Sequence, residues 1–380
     1  MNRIKVLEVF LNEDKVGTLA VMKNGCSAFE YDAKWLQNGF SISPFSLPLE
    51  RKVFIPKPDP FEGLFGVFAD SLPDGWGRLL VDRILLKRNI NPHTIDSLNR
   101  LAVVGYTGMG ALYYKPDHLI TKESGQSDYD KIAQACKRLL EDKDTGDLDN
   151  LFLLGGSSGG ARPKILTEIE GEKWIVKFPS SFDKDNIGEM EFRYSECAKA
   201  CGIEMPETRL FPSKRCSGYF GVKRFDRFQD TEGNEKRIHM ISVSALLETS
   251  HRFPNLDYHD LMKLVSILTN DEQEMEKMFR LMCFNVFAHN RDDHSKNFTF
   301  LYDQKEDKWR LSPAYDLTYS YSLGGEHATC VNGNGSDPDL HSILAVADKA
   351  GMNKADAMKI AAAVQEIVQE YNLVRYKCYK

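Results

Sequence analysis

The sequence is short of the features that place a protein quickly. Its 380 residues hold eight cysteines, with no Cys-x-x-Cys pair and no His/Cys group at zinc spacing. Scattered thiols of that kind exclude a disulfide framework and a structural zinc site, and they read as reduced cysteines in a cytosolic protein. Long apolar runs are missing as well. No stretch approaches the roughly 20 apolar residues that span a bilayer, so no membrane segment is expected. The opening MNRIKVLEVFLNEDKV alternates apolar and polar residues and is broken by charge, the pattern of a strand and not of a signal peptide. Positive charge is not in excess. Against 49 Lys and Arg stand 55 Asp and Glu, a net charge of −6. That balance argues against a chain that coats nucleic acid by itself, and says little against a partner that does.

What is present fits a chain of two domains or lobes with full cores. Residues 1–60 read as β-rich. Val6, Leu7, Val9 and Leu11, then Val16, Thr18, Ala20 and Met22 after an Asn-Glu-Asp turn, make a hairpin, and Cys26 to Tyr31 adds a strand. In ADSLPDGWGRLLVDRIL, Ser71 or Asp74 can cap a helix whose Trp76, Leu79, Leu80, Ile84 and Leu85 recur at helical spacing. By pattern alone this is a core helix with its cap. Residues 128–140 read as a further helix and 143–150 as a loop, with a domain boundary near there.

Next comes LFLLGGSSGGARPKILTEI, an apolar run that meets glycines and serines before a strand. Glycines let backbone N–H groups turn toward an anion with no side chain in the way. It is not a P-loop. Gly155 and Gly160 have the required gap, but Ala161 stands where lysine must follow. The segment fits better a glycine-rich flap between two strands, as protein kinases carry over ATP. In the following EKWIVKFPSS, Trp174 and Val176 share one face of a strand and Ile175 and Lys177 the other. A lysine there wants an anion beside it, or else snorkels at the strand end. A helix over 188–201 carries Glu189, Glu191 and Glu196, any of which could pair with Lys177 as a kinase helix glutamate does.

Farther on, Asn270 and Gln273 suggest a capping box for a helix with an apolar stripe through Met278, Phe279 and Met282. This core stem delivers a run of nine polar residues, HNRDDHSKN at 289–297. Asp292 and Asn297 have the D-x-x-x-x-N spacing with which kinases place a catalytic base and a metal-binding amide on one short loop. A hairpin over FTFLY and WRL then returns the chain to SPAYDLTYS, where Asp316 can act as a second Mg2+-binding carboxylate. Glycine flap, strand lysine, helix glutamate, D-x-x-x-x-N, hairpin and aspartate occur in the kinase order. A metal hydrolase built on His289, His294 and the nearby aspartates is the competing chemistry, and it lacks a His-Glu-x-x-His motif or a third clear ligand.

DDHSKNFTF, SPAYDLTYS, VKRFDR, GGARPK preceded by serines, and ADSLPDGWGR resemble the HipA family of toxin-like serine/threonine kinases, over most of the chain. The resemblance implies an α+β fold: an atypical bilobal protein-kinase-like core with an N-terminal β-rich domain and a largely helical C-terminal lobe. The expected division is 1–110 for the N-terminal domain, 111–240 for the rest of the N-lobe with flap and lysine, and 241–380 for the helical lobe. It implies ATP binding by Gly159, Gly160, Ala161, Arg162, Pro163 and Lys164, with Lys177 on the phosphates and Lys223, Arg224 and Phe225 as the hinge beside adenine. Asp292 would be the base. His294, Ser295, Lys296, Asn297 and Tyr315 would lie at the nucleotide, with Asn297 and Asp316 on Mg2+.

The same resemblance implies autophosphorylation at Ser157, with Ser158 as the second candidate. A phosphate there adds about −2 charge where ATP phosphates must sit. The implied partners are a HipB-like helix-turn-helix antitoxin, operator DNA mainly through that antitoxin, and a protein substrate for which aminoacyl-tRNA synthetases are the family's precedent. The alternatives are a small-molecule kinase and a catalytically weak nucleotide-binding regulator of the same fold. Two departures stand out. Asp293 occupies a place where many relatives have glycine and puts a second negative charge beside the base, and Arg162 and Pro163 vary the flap.

Overall fold

The computed structural model describes residues 4–117, 128–143, 146–156, 158–321 and 323–373. They form two compact units. The first comprises Met1–Phe182, Ser213–Arg215 and Lys223–Ser250, and the second Asp183–Pro212, Cys216–Val222 and His251–Lys380. The fold is mixed α+β, as the sequence implied. Among the described residues no helix is long and apolar enough to cross a membrane.

The first unit opens on an antiparallel sheet of β1 (Val6–Leu11), β2 (Asp14–Val21), β3 (Ser27–Tyr31), β4 (Val53–Phe54) and β5 (Leu112–Lys115), in the order β4-β3-β2-β1-β5. Alternation sets its inner face. Leu7, Val9 and Leu11 are buried while the residues between them are not. Phe29 from β3 packs against Phe68 at a ring separation of 5.0 Å. The helix Gly75–Lys87 buries Trp76, Leu80, Val81, Ile84 and Leu85, as its spacing predicted. Its N-cap is Asp74, yet neither candidate side chain caps it. Ser71 instead meets the Tyr114 hydroxyl at 2.7 Å, and the Asp74 carboxylate is engaged elsewhere.

Two expectations fail here for a common reason. The stretch read as a loop followed by a strand is in fact the helix Leu148–Gly155, which packs on Gly75–Lys87. Leu151, Phe152 and Leu154 are buried while Leu153 is exposed, a spacing that an uninterrupted apolar run conceals. The flap therefore joins a helix to a strand, not two strands. After it come β6 (Lys164–Ile169) and β7 (Glu172–Lys177), an antiparallel pair.

An ionic cluster ties the glycine-rich 105–111 stretch to VKRFDR. Asp226 is fully buried and accepts from Gly110 N at 2.7 Å, Arg224 Nε at 2.9 Å and Arg227 Nη1 at 2.8 Å. The two arginines also donate to the carbonyls of Gly108 and Gly110, and Arg237 lies 3.6 Å over the Tyr106 ring. The guanidinium groups hold the Asp226 carboxyl far below the usual range against the opposing effect of burial.

The second unit is mostly helical. Helices Ile187–Ala200, Tyr258–Thr269, Glu272–Phe287, Leu340–Lys349 and Lys354–Tyr371 surround a core that includes Tyr194, Phe279 and Phe284. The expected capping box lies one residue off. Asp271 caps Glu272–Phe287 through Gln273 N, and Asn270 ends the preceding helix in the left-handed region at φ 48°. Asparagine tolerates that conformation, which frees it to close one helix where capping the next was expected. The hairpin forms as read, with Thr299–Asp303 paired to Lys308–Leu311.

His239 gives the first unit a pH dependence. It is 2% exposed, Nε2 lies 2.8 Å from the Ile42 carbonyl, and burial lowers its pKa to about 4. The folded state keeps the ring neutral, whereas the unfolded chain takes up a proton near pH 6.5. Its contribution is complete above pH 6.5 and is lost as pH falls toward 4, on the order of 3 kcal/mol in all. Urea titrations at stepped pH should show this loss, and His239→Gln should flatten it.

Candidate functional site

In the first unit the glycine turn rests on the helix Gly75–Lys87. Gly160, at φ 82°, donates its N–H to the Asp74 carboxylate and accepts at its carbonyl from Trp76 N at 2.9 Å. Trp76 Nε1 donates to the Lys164 carbonyl at 3.2 Å. The approach is close enough to demand glycine on the other side. A Cβ at Gly75 would run into the Gly160 carbonyl, and one at Gly77 into that of Ser158. By its local pattern DGWG is an ordinary helix start, but the motif is the seat of the flap. A usable signal was there: two glycines in one helical turn cost about 1 kcal/mol each and want a compensating neighbour.

Beyond the turn, β6 and β7 pair so that Lys164 stands directly opposite Lys177. Directly opposed residues share a face, and like charges so placed repel unless an anion lies between them. Lys164 is buried with its ammonium beside Gly160: a Cβ there would be 2.6 Å from Nζ. Gly159 and Arg162 are half-buried, Ala161 is exposed, and the buried Pro163 accepts at its carbonyl from Phe178 N at 2.8 Å. Ser158 is buried and its hydroxyl donates to the Gly155 carbonyl at 2.6 Å. Ser157 lies outside the described residues.

At the expected hinge the Arg224 guanidinium is buried against Asp226 and the Gly108 carbonyl, and its backbone N–H donates to Lys173 O at 2.8 Å. A buried carboxylate claims the side chain first. Lys223 pairs with Glu172 at 2.9 Å, and Phe225 is half-buried.

In the second unit the stem Glu272–Phe287 ends at Ala288, and His289 turns the chain at φ 52°. The Asp292 side chain is 58% exposed, with His294 Nε2 at 3.9 Å from its Oδ1. Asn297 Nδ2 donates to the Asp292 carbonyl at 2.7 Å, so acid and amide are held in one loop, as the D-x-x-x-x-N spacing suggested. Ser295 is buried, and His294 Nδ1 accepts from Lys296 N at 3.2 Å. The Tyr315 hydroxyl donates to the Lys296 carbonyl at 2.6 Å, and Ser320 N donates to His289 O at 3.1 Å. These two bonds lay the stretch containing Asp316, at φ 58°, along the same loop. Among Glu189, Glu191 and Glu196, Glu196 pairs with Lys199 at 2.9 Å and Glu191 is buried.

Asp293 is not where the sequence put it. Its charge was expected beside the base, but the side chain turns inward and is buried. Tyr258 OH donates to Oδ2 at 2.9 Å, His327 Nδ1 lies 2.9 Å from the same oxygen, and Thr329 N donates to Oδ1 at 3.2 Å. Burial, followed by the Asp293 charge, raises the Tyr258 phenol well above its ordinary pKa, so it stays a donor. Tyr258, His327 and Thr329 were missed because nothing in their local sequence marks them. Among the described residues no three His, Cys, Asp or Glu side chains are grouped to hold a metal.

A mixed α+β fold with this acid–amide loop defines a protein of the kinase-like architectural class. The HipA-like C-terminal domain family matches residues 156–371, and the HipA N-terminal domain family matches residues 7–115. The chain therefore belongs to the HipA family. It is 26% identical over 350 residues to the Sinorhizobium fredii protein "Putative kinase Y4mE", covering 83% of this chain and 77% of that one. The toxin–antitoxin protein HipA of Shewanella oneidensis, solved with HipB and operator DNA, superposes with a TM-score of 0.71 at 18% identity over 97% of this chain and 91% of that one. The Helicobacter pylori proinflammatory kinase CtkA reaches only 0.37 at 12% identity, covering 55% and 90%, too slight a likeness to bear on the fold.

The seat of the flap is directly testable. Gly77→Ala places a methyl group against the Ser158 carbonyl and should destabilise the protein by about 1–3 kcal/mol in urea unfolding. Amide exchange should quicken around residues 158–161, the part of the chain that must give way.

Proposed function

We propose that this chain is an ATP- and Mg2+-dependent serine/threonine protein kinase acting as the toxin of a toxin–antitoxin pair. The observation that carries the reading is the 292–297 loop, in which Asn297 is bonded to the backbone of an exposed Asp292 while Tyr315 fastens the Asp316 stretch to Lys296. The opposed lysines 164 and 177 beside a glycine turn add an electropositive place suited to phosphates.

In this reading Asp292 orients the acceptor hydroxyl and takes its proton as the terminal phosphoryl group of ATP moves to the oxygen. Gly159, Gly160 and Lys164 hold phosphate together with Lys177. The donors of the second unit suit a hard cation. Because Asn297 Nδ2 is committed to the Asp292 carbonyl, the amide oxygen is the atom left for a ligand, and Asp316 offers a carboxylate. Bound there, Mg2+ would neutralise phosphate charge.

The kinase name of the Sinorhizobium relative supports the activity, and the Shewanella complex supports a HipB-like helix-turn-helix antitoxin as partner. Operator DNA would be met mainly through that antitoxin, in keeping with a net charge of −6. The target is proposed to be a protein, with an aminoacyl-tRNA synthetase as the first to test. Self-limitation would come from autophosphorylation at Ser157, or at Ser158 once the turn opens, since the Ser158 hydroxyl is buried on Gly155.

Purified protein incubated with labelled ATP and Mg2+ should label itself. Asp292→Ala should keep nucleotide binding and lose transfer by about 10²- to 10⁴-fold. Asp316→Ala should instead lose metal-dependent nucleotide binding, read by calorimetry with and without Mg2+. Equal loss of binding in both variants contradicts this division of roles, and transfer only to a metabolite points to a small-molecule kinase.

A further inference from the structure

Two adjacent carboxylates in the catalytic loop have opposite fates. Asp292 is largely exposed, whereas the Asp293 side chain is wholly enclosed. The bonds that hold the Asp293 side chain and carbonyl in the interior therefore also fix the backbone from which the exposed Asp292 side chain projects. We infer that Asp293, held by Tyr258, His327 and Thr329, is the positioning residue that presents Asp292 to its substrate. The inference rests on the kinase reading above.

Asp293 touches no reacting atom. Its carboxylate accepts from donors on two separate pieces of chain, the start of the helix Tyr258–Thr269 and the stretch around the strand Thr329–Cys330. Its carbonyl accepts from the Thr329 hydroxyl at 2.5 Å. The bonds continue beneath the loop. Asn285 Nδ2 donates to Tyr258 OH at 2.9 Å, and Asn290 Nδ2 donates to Asn285 Oδ1 at 2.9 Å. Between them the Arg291 carbonyl accepts from Ala328 N at 3.0 Å. Residues 290, 291 and 293 are thus anchored to the body of the second unit, while the Asp292 side chain between them is largely exposed. A buried ionic group contributes little net stability compared with apolar packing, but it accepts only one arrangement of its donors. Fixing a direction is what a catalytic base requires of its support.

The test uses the full chain and two variants. Asp293→Asn keeps the shape but removes the charge and turns one acceptor into a donor. Tyr258→Phe removes a single hydroxyl and is read in its place should the first variant not fold. Both should lower kcat, Asp293→Asn by about 10- to 100-fold as a misplaced base does. KM for ATP should stay within about twofold, since uniform binding is untouched. Faster amide exchange should be confined to residues 290–297. A purely structural role would lower the amount of folded enzyme and leave kcat per folded molecule unchanged, and that outcome overturns the inference. So does unaltered exchange at 290–297 in both variants, whether or not the wild type transfers phosphate. A wild type that binds no ATP rejects the kinase reading alone, and the exchange measurement still decides the fate of this one.

Discussion

A carboxylate taken out of water must be surrounded by donors, and in each unit one such carboxylate decides where the loops go. In the first unit it is Asp226, which gathers Arg224, Arg227 and the Gly110 amide and so fixes the glycine-rich stretch after Val104. In the second it is Asp293, which draws Tyr258, His327 and Thr329 under the 289–297 loop. Neither site is an efficient source of stability, because desolvating charge offsets much of what the bonds return. What each supplies is a single permitted geometry.

The flap shows a second constraint, that of space. Its backbone lies so close to the helix Gly75–Lys87 that Gly75 and Gly77 cannot carry side chains, and the Asp74 carboxylate, freed from capping the helix, binds the Gly160 amide. The N-terminal motif and the glycine turn are therefore one structural device, although more than 80 residues separate Asp74 from Gly160. After the same turn Lys164 stands opposite Lys177 across two strands.

The loop in the second unit gains its order from bonds made mainly to backbone atoms. Asn297 binds the Asp292 carbonyl, Tyr315 the Lys296 carbonyl, and Ser320 the His289 carbonyl. Bonds of this kind fix the path of the chain while leaving the Asp292 carboxylate itself exposed.

Much of this was legible in the sequence wherever the signal was local. The β1–β2 hairpin, the alternation that puts Lys177 beside Ile175, the helical stem and the D-x-x-x-x-N spacing all follow from periodicities of two or 3.6 residues, or from a short interval along one loop. Family motifs carried the membership and the mixed α+β fold. What failed was whatever depends on a distant partner. Residues 151–154 read equally well as strand or helix until the helix Gly75–Lys87 supplied a surface for one face. The place of the Arg224 guanidinium is set by Asp226, and Asp293 looked like a charge beside the base until His327, 34 positions away, met it in the core. The residues themselves determine which groups can donate, accept or turn. Only the tertiary structure decides which of them meet, because burial sets the cost of leaving a polar group without a partner, and burial is a property of the packed chain.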